Sequence, residues 1–362
     1  MKCFWEMPVA NTQLAADLAP ALSVSRLEPA EEQAWDDFVR GHEDGTFFHL
    51  SAWRRVIEKA FGHRTHYLMA RRGADVAGVL PLTHVKSRLF GSSLISNGFC
   101  VQGGVLAKDE EAKAALAAEA VKIGEQENVD CVEFRSTTPQ HPDWIQKSGL
   151  YVTFRRPIHA DVDANMKAIP RKQRAMVRKG ISNGLISECD SDVSRMHDVY
   201  AESVRNLGTP VFSRGYFRLL KDEFGEACDV VTVLHGGNAV AAVLNFYFRD
   251  EVLPYYGGGR SEARDLAAND FMYWEVMRRA CERGYRVFDF GRSKQGTGPF
   301  DFKKNWGFTP EPLAYEFRLY TRPDIPEHNP LNPRYRHFIA LWRRLPRRVA
   351  NALGPAIVRN LG

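Results

Sequence analysis

The sequence predicts an α/β chain of two tandem mixed-sheet units, each flanked by helices, followed by a basic tail. Three observations predict it. Strand-type and helix-type runs recur in one order in each half, two short sequence matches connect the halves at nearly one offset, and 362 residues accommodate two average domains with a remainder.

In the first half, His66–Arg72 alternates and is rich in strand formers. Gly73-Ala74-Asp75 supplies a turn and Val76–Val85 forms a second apolar run, so the pair predicts a β-hairpin. Glu110–Asn128 carries apolar residues at helical spacing, and Val129–Ser136 has the pattern of a buried strand. The second half repeats this order. Val230–His235, the turn Gly236-Gly237-Asn238 and Ala239–Phe248 form a hairpin, Val252–Gly257 a third strand, Ala267–Arg283 a helix and Tyr285–Phe290 a strand. Val76-Ala77-Gly78-Val79-Leu80 aligns with Val240-Ala241-Ala242-Val243-Leu244 at an offset of 164. Glu133-Phe134-Arg135-Ser136 aligns with Asp289-Phe290-Gly291-Arg292-Ser293 at 156 to 157. Hairpin, helix and strand in series is the order of the acetyltransferase (GNAT) fold. The expected divisions are an arm at 1–22, a first unit at 23–160, a second at 161–320 and a tail at 321–362.

Composition narrows the function classes. The six cysteines form no CxxC pair, which argues against a disulfide framework or zinc ribbon and suits a reducing compartment. No HExxH or Cys/His cluster occurs among the eleven histidines, so no metal is expected. The N-terminus has no apolar signal core, and nowhere do 18 apolar residues run without charge. A cytoplasmic location, peripheral to the inner membrane face in one reading, is the expectation. Residues 322–362 hold eight arginines against Asp324 and Glu327, leaving residues 1–321 at a net −1. A uniformly basic nucleic-acid binder, and DNA as a partner, fit this poorly.

Three segments of the second half carry candidate chemistry. Tyr255-Tyr256-Gly257-Gly258-Gly259 leads to Asn269-Asp270 at the front of a helix. Glycines allow close backbone approach and a helix start favours an anion, although a plain turn and cap explain them equally. Phe288-Asp289-Phe290-Gly291-Arg292-Ser293 runs from a strand into a glycine-rich loop that lacks the spacing of either nucleotide fingerprint. Asp289 is a general base or an arginine's structural partner. In Phe302-Lys303-Lys304, a lysine either faces a developing oxyanion or lies exposed on a surface turn.

These motifs resemble the FemAB-type peptidyltransferases and the acetyltransferase-like proteins found beside exosortase and exopolysaccharide genes. Asn269-Asp270, Trp274-Glu275, Phe288–Ser293, Gly296-Thr297-Gly298 and Phe302–Gly307 are similar to that branch. Pro170-Arg171-Lys172-Gln173-Arg174 resembles its basic helix at the start of the second domain. The likeness spans residues 45–320 and is specific in the second half. It implies a substrate groove along the second unit or between the two, and a critical Phe-Lys pair at Phe302-Lys303. On this basis Lys303, Asp289 and Arg292 are the expected catalytic residues. Tyr256, Asn269, Asp270, Phe302, Lys304, Arg171 and Arg174 are the expected substrate-binding residues. Two family features are missing: the coiled-coil arm associated with tRNA and the Arg/Gln-x-x-Gly-x-Gly/Ala loop of standard acetyltransferases. The donor, acyl-CoA or aminoacyl-tRNA, stays open, and no permanently bound cofactor is expected.

The leading expectation is N-acyl or aminoacyl transfer to an amine on a cell-envelope precursor. The alternatives are an inactive acetyltransferase-like scaffold in exopolysaccharide assembly and an RNA-binding module using Arg171–Lys179 and the tail. In the tail, Phe338, Ile339, Leu341, Trp342, Leu345, Val349, Leu353 and Ile357 fall among arginines, and Pro346 and Pro355 predict breaks. That pattern suits either a helix on an anionic membrane surface or one docked on the protein's own body.

Overall fold

A computed structural model describes residues 20–87, 90–321, 325 and 336–361. The arm, up to residue 19, and the connector prolines Pro323, Pro326, Pro330 and Pro333 lie outside the described residues. The chain opens with β1 (Leu22–Arg26), α1 (Glu32–Gly41), α2 (Ala52–Phe61), β2 (Arg64–Arg72), β3 (Asp75–Ser87), β4 (Gly91–Ser96) and β5 (Leu106–Ala107). Next come α3 (Glu110–Gln126), β6 (Cys131–Ser136), β7 (Ile145–Lys147), β8 (Tyr151–Thr153) and β9 (Arg155–Pro157). The second unit contains α4 (Val162–Ala168), α5 (Arg171–Ser182), β10 (Ile186–Cys189), α6 (Ser194–Leu207), α7 (Arg214–Phe224), β11 (Cys228–His235), β12 (Asn238–Phe248) and β13 (Glu251–Gly259). It closes with α8 (Ala268–Glu282), β14 (Val287–Asp289), β15 (Ser293–Lys294), α9 (Gly298–Asn305), β16 (Glu311–Pro312) and β17 (Ala314–Leu319). Helices α10 (Arg336–Arg344) and α11 (Arg347–Val358) form the tail.

Local chemistry accounts for the repeated elements. In α3 the Asp109 carboxylate accepts from the Ala112 N–H, and Ala112, Leu116, Ala120 and Ile123 turn one face inward. The β11–β12 hairpin closes through Gly236 and Gly237, both at positive φ, which a two-residue turn matched to strand twist requires.

The expected tandem GNAT-like architecture is present. One sheet runs β1-β2-β3-β4-β6-β17-β7 with β5 on β3, another runs β10-β11-β12-β13-β14-β9, and a small sheet joins β15, β8 and β16. In each large sheet an antiparallel meander meets a parallel strand that follows a helix: β4 with β6 and β13 with β14. The chain nevertheless exchanges strands between units. β17, late in the sequence, pairs antiparallel with β6 of the first sheet, and β9 pairs antiparallel with β14 of the second.

Aromatic packing fuses the units further. Phe47 stacks on Phe246 at 4.4 Å, Trp53 lies 5.1 Å from Phe224, Phe48 5.3 Å from Tyr255 and Phe61 5.1 Å from Tyr216. One buried cluster therefore runs from Leu27 to Phe317 through both halves.

The tail forms two helices that break at Pro346, as expected. Pro355, however, lies inside α11 without ending it. Ala350, Gly354 and Val358 of α11 are buried, and a side chain at Gly354 would collide with the Val211 backbone, so tertiary packing offsets the missing bond. Trp342 of α10 is also buried, and Arg347 pairs with Glu202 of α6 at 2.8 Å. One face of the tail thus docks on the protein body.

Candidate active site

The site begins with a bulge. Leu244 pairs with Tyr256 and Asn245 with Pro254, so Tyr255 is an extra residue in β13. β13 pairs with β14 only at Glu251–Val287 and Val252–Phe288, after which the strands part. Beyond these pairs, among the described residues, no backbone hydrogen bond joins β13 to β14, which leaves a cleft between the strands at the carboxyl end of β14. In the first unit the corresponding gap is filled by the chain itself. Gly103 and Gly104 N–H donate to the Arg135 carbonyl at 3.1 and 3.0 Å, and the Arg135 guanidinium donates to the Cys100 carbonyl.

Lys303, Asp289 and Arg292 come together at the second cleft. Lys303 was expected on the surface if it has no catalytic role; instead it is buried on α9. Its ammonium donates to the Gly291 and Arg292 carbonyls at 2.9 and 3.1 Å. Burial pulls its pKa down to about 7, opposed by the nearby Asp289 carboxylate. Asp289 accepts from the Gly291 N–H at 2.7 Å and from the Thr153 hydroxyl at 3.4 Å. Burial raises its pKa to about 6. Two ionisable groups of opposite type are thus moved toward neutrality from opposite sides, a pattern concentrated at functional sites.

Arg292 is exposed just past the carboxyl end of β14. One N–H donates to the Tyr315 hydroxyl at 2.9 Å, and the guanidinium lies 4.6 Å from the Tyr151 ring. Tyr315 in turn donates to the Val101 carbonyl of the first unit at 2.9 Å. Tyr255 and Tyr273 are half-buried. Sequence reasoning missed Tyr151 and Tyr315, because only the pairing of β8 with β15 and of β17 with β6 brings them beside Arg292.

The other expected residues divide. Phe302 is half-buried against Tyr273 and Trp306, near the cleft lysine. Asp270 is occupied inside the protein, because its carboxylate accepts from Trp306 at 2.9 Å and from Gln173 at 3.2 Å, tying α8 to α9 and α5. The Tyr256 hydroxyl is likewise committed, sharing a 2.8 Å hydrogen bond with Tyr216 in the core. Asn269 packs against Gly259, where any Cβ would meet its amide oxygen at 2.7 Å, and Gly258 makes room for Ser203 of α6. Close packing, in addition to any ligand, therefore demands these glycines. Lys304 is exposed, 5.5 Å from the Phe300 ring. Arg171 is exposed on α5, and Arg174 donates to the Lys167 carbonyl.

The bulged strand, the splayed parallel pair and the helix between them are the GNAT arrangement, and residues 165–304 match the family model for the acetyltransferase (GNAT) domain. No curated protein matches the chain. Among solved structures, the GNAT pair is similar to FemX, with a TM-score of 0.64 and 16% identity over 83% of this chain and 98% of that one. It is also similar to the C-terminal domain of a putative lysylphosphatidylglycerol synthetase from Agrobacterium fabrum, with a TM-score of 0.55 and 15% identity over 80% and 91%. A tandem GNAT protein from the clavulanic acid biosynthesis pathway aligns with a TM-score of 0.53 and 12% identity over 84% and 100%. At these identities the likeness establishes a shared FemAB-like tandem GNAT fold.

Proposed function

We propose that the second-unit cleft transfers an acyl group from an acyl-CoA thioester to the amine of an anionic cell-envelope precursor. The observation carrying this reading is the Lys303 ammonium, held by two backbone carbonyls beside Asp289 where β13 and β14 part. Two of its three N–H donors are used, and the third is free to meet the oxyanion that forms when an amine attacks a thioester carbonyl. The C–N bond forms, the amine proton passes to Asp289, and the C–S bond breaks as the thiolate leaves and takes that proton back from Asp289. An Asp289 pKa near 6 keeps the carboxylate ionised at neutral pH and able to accept that proton. The edge of β13 at this cleft suits an extended donor arm, since backbone N–H and C=O groups beyond the β13–β14 pairs seek partners. Arg292 has donors left after Tyr315, which suits a phosphate or carboxylate on the acceptor.

Purified protein incubated with acyl-CoA and amine-bearing, anionic muropeptide or aminosugar nucleotides should release CoA thiol and give an acceptor heavier by one acyl group. Transfer from charged tRNA with no thiol released from acyl-CoA would overturn the donor assignment. Acyl transfer surviving unchanged in Lys303→Met would overturn the site.

A further inference from the structure

The tail helices have a second surface that docking leaves uncovered. Among the described residues, eight large apolar side chains stand exposed, and five belong to the tail or the adjoining end of α6: Leu207, Phe338, Leu341, Val349 and Leu353. Leu341 is 63% exposed, Leu207 60% and Leu353 49%, although the opposite side of the same helices buries Trp342, Ala350, Gly354 and Val358. Leu207 is tied to α10, because Arg343 donates to its carbonyl and a side chain at Gly208 would strike Ile339. The uncovered apolar residues therefore flank the docked seam.

Charge accompanies them. Residues 336–361 contain six arginines and no acidic residue. Arg347 is neutralised by Glu202, and Arg343 and Arg359 donate to the Leu207 and Phe61 carbonyls. Arg344 and Arg348 are exposed with no ion pair among the described residues. Exposed large apolar side chains concentrated on two consecutive helices of an otherwise well-packed protein mark a contact surface. Uncompensated arginine beside exposed leucine fits an interface that is anionic at its surface and apolar just beneath. We infer that this face binds an anionic lipid bilayer, with Leu341 and Leu353 entering the headgroup–acyl boundary and Arg344 and Arg348 meeting lipid phosphates. A nucleic acid would satisfy the arginines and leave the leucines in water, so the apolar residues decide between the two. The inference is independent of the acyl transfer proposed above.

Flotation of the full chain with vesicles of phosphatidylcholine containing 30% phosphatidylglycerol, against phosphatidylcholine alone, tests this at low and high salt. Wild type should float with the anionic vesicles alone, and less as salt rises. Each arginine near such a surface is worth about fivefold in affinity, so Arg344→Gln with Arg348→Gln should weaken binding roughly 25-fold. Leu341→Ser with Leu353→Ser should also release the protein while leaving its circular dichroism unchanged and its Tm lowered by at most a few degrees, because about half or more of each side chain is already exposed. Failure of wild type to float at low salt overturns the inference, as does binding that both double variants retain. If the leucine variant instead converts a dimer to a monomer on light scattering and wild type does not float, the face is a contact between copies and the lipid assignment is wrong.

Discussion

Replacing Lys303 by Met reads catalysis and stability in one variant, because the substitution keeps an unbranched side chain and removes only the charge and its donors. If the ammonium stabilises the oxyanion, its loss should lower kcat by roughly 10²–10³, the usual worth of one such donor. The stability effect has a calculable sign. Burial pulls Lys303 from 10.5 to about 7, so the folded state binds this proton more weakly than the unfolded chain does. The resulting penalty on the fold is fully present below pH 7 and fades as pH rises from 7 toward 10.5. At 1.36 kcal/mol per pKa unit, it is on the order of 4–5 kcal/mol at pH 6. Against this, Met leaves the Gly291 and Arg292 carbonyls without their donor, at about 1–3 kcal/mol each and nearly independent of pH. The Tm of Lys303→Met relative to wild type should therefore be higher at pH 6 than at pH 9. Differential scanning calorimetry at the two pH values, with thiol-release kinetics at pH 6.5, reads both effects. Activity within threefold of wild type, or a relative Tm that is lower at pH 6 than at pH 9, refutes the reasoning.

The pH–rate profile should be narrow. Activity rises as the pair's carboxyl ionises near 6 and falls as its ammonium deprotonates near 7, and Asp289→Asn should abolish the acid limb in a plot of kcat/KM. Arg292→Gln should raise the acceptor KM by about 10–100-fold with kcat changed less than threefold, as expected for hydrogen bonds to a charged group; an unchanged KM would remove the acceptor's anion from Arg292. Phe246→Ala should cost about 3–5 kcal/mol and, because Phe47 of the first unit stacks on it, unfolding of both wild type and variant should remain one calorimetric transition rather than two.

Sequence alone determined the elements whose causes are local. Period-two runs around Gly236-Gly237 fix a hairpin because only a tight, left-handed turn can join such strands, and the spaced apolar residues behind Asp109 fix a helix. The repeat of these elements was enough to predict two tandem GNAT-like units, whereas the Phe302-Lys303 segment left its lysine either exposed or functional until the family resemblance singled it out. What the lysine does with its charge was not legible, because burial is a property of the packed molecule. The same sequence would read identically with Nζ in water, where a pKa near 7 has no cause. Nor could spacing show that Asp270 and Tyr256 are spent on Trp306 and Tyr216, since those partners lie 36 and 40 residues away. The remaining decision came from strand exchange. β17 leaves the second unit to complete the first sheet, and only that crossing carries Tyr315 to Arg292 and links Arg292 to Val101 of the first unit. Periodicity records which face of a strand is buried and carries no information about which sheet the strand will join; that choice is settled by which open edge and which apolar surface the folded halves leave for it.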